Sequence, residues 1–239
     1  MIEQLAIGYE TEELLEQAKH LQQQLKLRID NQAKEQLLLT TDKLVLKIGE
    51  FLPLYADFSS KTWQKRRDAG KKQGLVRACK PGPGVRIIDA TAGWGRDAAV
   101  LASFGAEVLM LERQPLMMVL LKDALERQDE RSKKNLNLKL GMIDTASYLQ
   151  TLAEADYPDV IYIDPMHPQR QKTALVKKEM QVLQQLIGPD NDTLPLLELA
   201  MTKVLKRVVV KWPQHLIPLL SPTSSVSGKT VRFDIYSRS

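Results

Sequence analysis

Eleven consecutive residues, Ile87–Asp97, read Ile-Ile-Asp-Ala-Thr-Ala-Gly-Trp-Gly-Arg-Asp and concentrate the chemistry of this chain. An apolar run enters a turn that carries Gly93 and Gly95, and a helical pattern follows. Glycine lets the backbone approach a ligand where a side chain would block it, and it accepts positive φ. The start of the next helix supplies N–H groups without intrahelical partners. Glu112, nineteen residues beyond Gly93, ends the next apolar run. An acid at that place can accept both hydroxyls of an adenosine ribose, so the pair of features points to a nucleoside cofactor.

Two nucleoside cofactors compete for such a turn. A dinucleotide fold uses G-x-G-x-x-G/A, and Ala98 satisfies its last position. Arg96-Asp97, however, sits where a pyrophosphate would approach the helix, and Asp97 would repel it. An acid there suits a cationic amino-acid tail, which favours S-adenosylmethionine over a nicotinamide dinucleotide. A second motif, Asp159–Lys172, reads DVIYIDPMHPQRQK and places Asp164-Pro165 directly after an apolar strand. Proline ends a ladder by itself. In open α/β sheets, though, ligands bind at the carboxyl ends of strands, so Asp164 is expected to face the crevice that holds Gly93 and Glu112.

The elements that position these residues follow from periodicity. Arg86–Ala90, Glu107–Leu111, Leu136–Met142, Asp159–Ile163 and Arg207–Lys211 read as strands. Helical patterns lie between them at Arg96–Phe104, Pro115–Arg127, Thr145–Leu152, Ala174–Ile187 and Leu194–Leu205. This alternation predicts an α/β fold with a mostly parallel sheet, and a terminal hairpin near Ser224–Ser227 and Thr230–Tyr236 predicts an antiparallel last strand. The first third differs. It reads as a helix from Thr11, which can cap it, to about Ile29, then short strands at Gln36–Thr40, Lys43–Ile48 and Leu54–Phe58. Pro81–Gly84, PGPG, punctuates the chain. The expected division is therefore a small α+β region over residues 1–80 and the catalytic domain over residues 81–239.

Composition limits the functions available. The chain has 239 residues, 44% hydrophobic and 26% charged, which suits a folded soluble protein. One cysteine, Cys79, excludes an intramolecular disulfide, and three dispersed histidines give no zinc spacing, so no metal is expected. No apolar run reaches membrane-spanning length, and the opening MIEQLAIGYETEELLEQ lacks a secretory pattern, so a cytoplasmic protein is expected. The net charge is +5, yet Lys61–Lys80 alone holds eight basic residues against one acid. Its cations and Trp63 form a candidate RNA-binding segment, with Lys61, Lys65, Arg66, Arg67, Lys71 and Lys72 as phosphate contacts. A solvated charged face is the alternative for the cations, and the core is the alternative for Trp63. Arg170 and Lys172 extend the basic set beyond Asp164.

Taken in order, D-A-T-A-G-W-G-R-D, L-E-R, D-P-M-H-P-Q-R-Q-K-T-A-L-V-K-K-E-M, K-R-V-V-V-K-W-P and R-F-D-I-Y closely resemble the RsmJ family of bacterial small-subunit ribosomal RNA guanine-N2 methyltransferases. The likeness runs from roughly Leu37 to Tyr236. It implies a Rossmann-like class I methyltransferase fold, S-adenosylmethionine as methyl donor, and a guanine of 16S rRNA, free or in the small ribosomal subunit, as target. By matching positions it implies that Arg96, Asp97, Glu112, Arg113, Asp144, Thr145 and Asp164 contact the cofactor. The loop Ala153–Pro158 differs in length from the family pattern, which leaves the match at Asp144-Thr145 the loosest. The guanine amine is a poor nucleophile, and Asp164 with the backbone carbonyl of Pro165 is expected to orient it. Similar amino-methyltransferases place an aromatic ring three residues after the acid; here His167 takes that position and either stacks on the base or is an ordinary loop histidine. Two other readings stay open on the residues: a non-catalytic RNA-binding module on a degenerate methyltransferase fold, and a methyltransferase acting on another nucleic-acid amine. The oligomeric state is not legible.

Overall fold

The computed structural model describes residues 5–49, 52–166 and 192–238. The described residues fall into two compact units. The smaller contains the chain up to Ala56 together with Gln114–Arg127, and the larger contains Asp57–Arg113, Gln128–Pro165 and the stretch from Asp192 onward.

In the smaller unit β1 (Ala6–Tyr9) runs parallel to β2 (Gln36–Leu39), which pairs antiparallel with β3 (Leu44–Lys47). The two strands expected around the Thr41-Asp42 turn are β2 and β3, whose turn is closed by the Thr40 hydroxyl on the Lys43 carbonyl at 2.9 Å. β1 was not legible, because four residues give too short a pattern and its partner lies about thirty positions away. The helix α1 spans Leu15–Leu25, preceded by a 3-10 turn at Glu12–Leu14. Thr11 does not cap it: no side-chain bond is made there, and its hydroxyl is buried without a partner. The strand expected at Leu54–Phe58 shrinks to a single bridge between Leu54 and Leu46. The helix α5 (Pro115–Glu126) belongs to this unit, where Arg127 pairs with Asp123 at 2.7 Å and donates to the Ala56 carbonyl at 2.8 Å.

In the larger unit seven strands form one sheet. In chain order they are β4 (Arg86–Asp89), β5 (Glu107–Glu112), β6 (Asn137–Met142), β7 (Val160–Ile163), β8 (Arg207–Pro213), β9 (Ser224–Ser227) and β10 (Val231–Ser237). In space they run β6-β5-β4-β7-β8-β10-β9. β4 to β8 are parallel, and β10 is antiparallel to both β8 and β9. This is the Rossmann-like α/β sheet, with its antiparallel last strand, that the sequence predicts. From β4 the chain moves to β5 and β6 on one side and then returns from β6 to β7 on the other side of β4, and the crevice at such a reversal of strand order is where open sheets bind ligands. The buried faces carry Ile87, Ile88, Val108, Met110, Ile161, Ile163, Val208 and Val210, the run of apolar residues that a sheet covered on both faces requires. Helices α4 (Arg96–Ser103) and α7 (Thr145–Thr151) begin at strand carboxyl ends, and α8 (Thr193–Thr202) leads into β8. The helix expected at Ala174–Ile187 lies outside the described residues.

The basic stretch is helical and belongs to this unit. It forms α2 (Ser60–Asp68), a 3-10 turn at Gly70–Lys72, and α3 (Gly74–Cys79). Its apolar residues are in the core: Trp63 is 2% exposed, and Leu75, Val76 and Cys79 are buried. Gly74 is required there, since a Cβ would meet the Phe233 ring at 2.5 Å. The buried Trp63 indole donates to the Ser132 hydroxyl at 2.9 Å on α6 (Glu130–Asn135). Asp129 joins the two helices through both carboxylate oxygens, accepting the Ser60 N–H at 2.7 Å and, as the N-cap of α6, the Ser132 N–H at 2.7 Å. These bonds, the Ser60 one foremost, hold the Asp129 carboxyl down at about 2. Because the folded value lies below the unfolded one near 4, this stabilisation is present above that value and is lost as pH falls toward 2. Asp129→Ala should therefore cost about 1–2 kcal/mol at pH 7, the scale of a lost helix cap. Urea unfolding should show the gap between parent and variant closing as the pH is lowered to 2.5; a gap independent of pH would refute the assignment.

Candidate active site

The turn between β4 and α4 brings the first group of residues together. Gly93 has φ +53° and Gly95 φ +69°, both left-handed, and the Gly95 N–H closes the turn on the Ala92 carbonyl at 2.8 Å. A Cβ on Gly93 would meet nothing nearer than the Thr91 carbonyl at 3.9 Å, so backbone strain rather than crowding selects glycine, and the space beside the turn is open. Glu112, at the end of β5, accepts the Gly93 N–H at 3.1 Å and the Arg113 N–H at 2.9 Å. Its carboxylate is thereby fixed against the glycine turn. Thr145, first residue of α7, donates to the Ala90 carbonyl at 2.7 Å, and Asp144 caps α7 by accepting the Ser147 N–H at 2.9 Å. Arg113 reaches Asp192 at 2.5 Å and Asp144 at 3.7 Å. Gly93, Gly95, Arg96, Asp97, Glu112, Arg113, Asp144, Thr145 and Asp164 thus all lie at or just beyond the carboxyl ends of adjacent strands β4 to β7.

A charged cluster occupies the β4–β7–β8 side. The Asp164 N–H donates to the Thr91 hydroxyl at 2.7 Å, which ties the end of β7 to the turn after β4. The Lys211 ammonium on β8 lies 2.6 Å from Asp164 and 3.3 Å from Asp97. Asp97 also accepts the Tyr162 hydroxyl at 2.7 Å and pairs with Arg66 of α2 at 2.7 Å. Arg66 donates further to the Arg96 carbonyl at 3.3 Å. Burial alone would raise the Asp97 pKa, but Lys211, Arg66 and the Tyr162 hydroxyl outweigh it and hold the carboxyl below its usual range. Burial also raises Asp164; Lys211 opposes this, Asp97 adds to it, and the net shift is upward. Burial would lower Lys211, yet the two carboxylates hold it above its usual value. Asp89, 2% exposed at the end of β4, has no cation on its carboxylate among the described ion pairs.

Several sequence expectations change here. Arg66 is engaged with Asp97, so it belongs to the site's charge network rather than to a free phosphate-binding face. Trp63 is enclosed in the core and has no ring surface to stack on a base. Lys61, Lys65 and Lys72 are exposed and Arg67 is half-buried, while Lys71 lies in the 3-10 turn. Pro165 follows Asp164 and is buried. His167, Arg170 and Lys172 lie outside the described residues. Tyr162 was missed as a site residue, and so were the carboxylate partners of Lys211. Within a strand each reads as a ladder position, and only the sheet order reveals that both point to the Asp97 carboxylate.

Comparison with known proteins agrees with this geometry. A family model described as a putative SAM-dependent methyltransferase matches residues 20–238. The chain is 59% identical over 231 residues to ribosomal RNA small subunit methyltransferase J of Legionella pneumophila strain Lens, covering 97% of this chain and 95% of that protein. It is 44% identical over 250 residues to the protein of the same name from Coxiella burnetii strain Dugway, covering 99% and 98%. The crystal structure of a SAM-dependent methyltransferase from Neisseria gonorrhoeae matches with TM-score 0.71 and 29% identity, covering 98% of this chain and 95% of that one.

The residues fit S-adenosylmethionine. An open face on the Gly93 turn, a fixed Glu112 carboxylate for a ribose diol and the acid Asp97 for an ammonium lie along one set of strand ends. The same crowding of acids generates a pH test. Burial, and next the charge of Asp97, push Asp89 up to about 8, so its carboxyl is protonated at neutral pH. The folded value exceeds the unfolded one near 4, so its stabilising contribution is complete below that value and is lost as pH rises through about 8. Asp89→Asn keeps the neutral shape without the titration. Between pH 5 and pH 9 the urea midpoint of this variant should fall less than that of the parent, and parallel curves would show that Asp89 does not titrate in this window.

Proposed function

We propose that this chain, which belongs to the family of S-adenosylmethionine-dependent methyltransferases that includes ribosomal RNA small subunit methyltransferase J, methylates the exocyclic N2 amine of one guanine in 16S rRNA. The observation that carries the reading is the setting of Asp164. Its backbone is tied to the cofactor turn through Thr91 and its carboxylate is gripped by Lys211, at the strand end next to Gly93. A carboxylate so fixed is a hydrogen-bond acceptor that cannot rotate away from the place where a base amine would enter.

S-adenosylmethionine supplies an electrophilic sulfonium methyl group. Glu112 holds its ribose hydroxyls, Asp97 faces its amino-acid ammonium, and Arg96, Arg113, Asp144 and Thr145 complete the cofactor contacts. The guanine amine lends its lone pair to the ring and needs alignment more than activation. Asp164 and the Pro165 carbonyl accept its N–H bonds and turn the nitrogen lone pair toward the methyl group, which lowers the barrier by orientation. As positive charge develops on nitrogen, the fixed carboxylate stabilises it. His167, three residues on, is the group available to cover the base. Lys61, Lys65, Arg67 and Lys72 meet RNA phosphates, with Lys71, Arg170 and Lys172 extending the basic set. The substrate is the small-subunit rRNA, free or in the subunit, and the enzyme works in the cytoplasm.

The deciding experiment is transfer of labelled methyl to 16S rRNA from a strain that lacks the gene, with the product nucleoside identified by mass spectrometry. N2-methylguanine at a single position is the expected product; a methylated adenine or cytosine amine would refute the substrate assignment. Asp164→Ala should keep the fold and lose nearly all turnover at saturating cofactor. Glu112→Ala should weaken S-adenosylmethionine by about 1.5–3 kcal/mol in titration calorimetry, the scale of lost charged hydrogen bonds. Unchanged affinity would remove Glu112 from the cofactor site.

A further inference from the structure

The helix α2 has anchors at both ends. Its first residue, Ser60, is bonded to Asp129 at the head of α6, and Arg66 in its last turn pairs with Asp97 in the site. Nine residues at 1.5 Å rise make it about 13 Å long. It therefore works as a short fixed strut between the charged cluster and α6. Lys61 and Lys65 are exposed along it, and Arg131, Lys133 and Lys134 are exposed on α6. Trp63, buried against Ser132, keeps the two helices in register.

Beside α6 lies a recess of about 500 Å³, lined by Lys133, Lys134, Asn135, Asn137 and Gln128. Asn137 begins β6, so the recess sits at the amino end of the sheet, away from the cofactor turn. Its polar lining combines three amides with two ammonium groups, of which Lys133 pairs with Glu130 at 2.9 Å, and Ala102, Gly105, Leu136 and Leu138 complete the wall. One amide is anomalous: the Gln128 Nε2 is buried and has no hydrogen-bond partner. A buried donor left unmatched costs stability and calls for a ligand or a compensating role. Amide side chains bond the edges of unstacked bases, and lysines take the adjoining phosphates. The volume is in the range of small-ligand sites and accommodates a nucleotide.

We propose that this recess receives one unpaired nucleotide of the RNA substrate, separate from the target guanine, and that the RNA strand runs from it to the site along the basic face of α2. Lys133 and Lys134 neutralise its phosphates, and the Gln128 amide donates to its base edge. The inference rests on the reading of the chain as an RNA methyltransferase, and it adds a second base-binding position that fixes the register of the strand relative to the crevice.

The test measures binding of a 16S rRNA transcript by filter retention over a salt series, for the full-length parent and three variants. Lys133→Glu/Lys134→Glu should weaken binding about tenfold or more and reduce the slope of log affinity against log salt by about 1.4, since each single-strand phosphate contact contributes about 0.7. Gln128→Leu should weaken binding severalfold while the melting temperature holds or rises, because the variant removes a buried unmatched donor. A merely structural glutamine would give the reverse pattern. Lys61→Glu/Lys65→Glu serves as the reference on α2, and S-adenosylmethionine affinity, read by calorimetry, should be parental in all three. If the α6 variant keeps the parental affinity and slope while the α2 variant loses them, the recess assignment is overturned and the RNA reading stands. If both keep them, the RNA path along α2 is overturned as well. If methyl transfer to rRNA is absent in the parent, the functional reading itself fails, independently of these binding results.

Discussion

Two carboxylates on different elements share one ammonium: Lys211 lies between Asp164, after β7, and Asp97, in the first turn of α4. Withdrawn from water, two such acids would repel and one would protonate. Arg66 and the Tyr162 hydroxyl complete the account on the Asp97 side, so two anions face two cations and a donor. The arrangement keeps Asp97 ionised and fixes the Asp164 carboxylate in place. It also explains the neighbouring Asp89. The two cations are committed to Asp97 and Asp164, so Asp89 has burial and negative charge around it and stays protonated up to about 8.

The sheet exists, from the site's viewpoint, to bring these groups together. β4, β7 and β8 are adjacent and parallel, so their carboxyl ends present the glycine turn, Asp164 and Lys211 side by side. The Thr91 hydroxyl, accepting the Asp164 N–H, makes the end of β7 follow the cofactor turn. The basic helix α2 joins the cluster from outside the sheet through Arg66, which gives one helix two roles: half of its cations stay in solvent and one is spent on Asp97. A change in that helix would consequently be felt at Asp97 as well as on the exposed basic face of the helix.

Much of this was legible in the residues, and the boundary of legibility has physical causes. The glycine turn, Glu112 and Asp164-Pro165 are local signals, because turn chemistry and strand ends are written in a few adjacent residues. The parallel strands declared themselves as apolar runs, and the family resemblance gave their order a meaning. Pairings between distant segments were not visible. β1 is defined by a neighbour about thirty residues on, and Lys211 acquires its role only when β8 is placed beside β7. Trp63 misled for a related reason. In sequence it stands among six nearby cations and suggests a stacking platform, whereas helical periodicity turns it inward onto Ser132 while Lys61 and Lys65 face out. Composition recorded the charge of the segment but not which face carried it.

The shared ammonium is tested most directly by a double-mutant cycle in urea unfolding at pH 7, with Lys211→Met, Asp164→Asn and the double variant. Lys211→Met leaves Asp164 without its cation, and Asp164→Asn leaves Lys211 with Asp97 alone, so the double variant should be less destabilised than the sum of the two single changes, with a coupling energy of about 1–3 kcal/mol. Additivity within about 0.5 kcal/mol would contradict the account, because it would mean that Asp164 and Lys211 are neighbours without being an interacting pair.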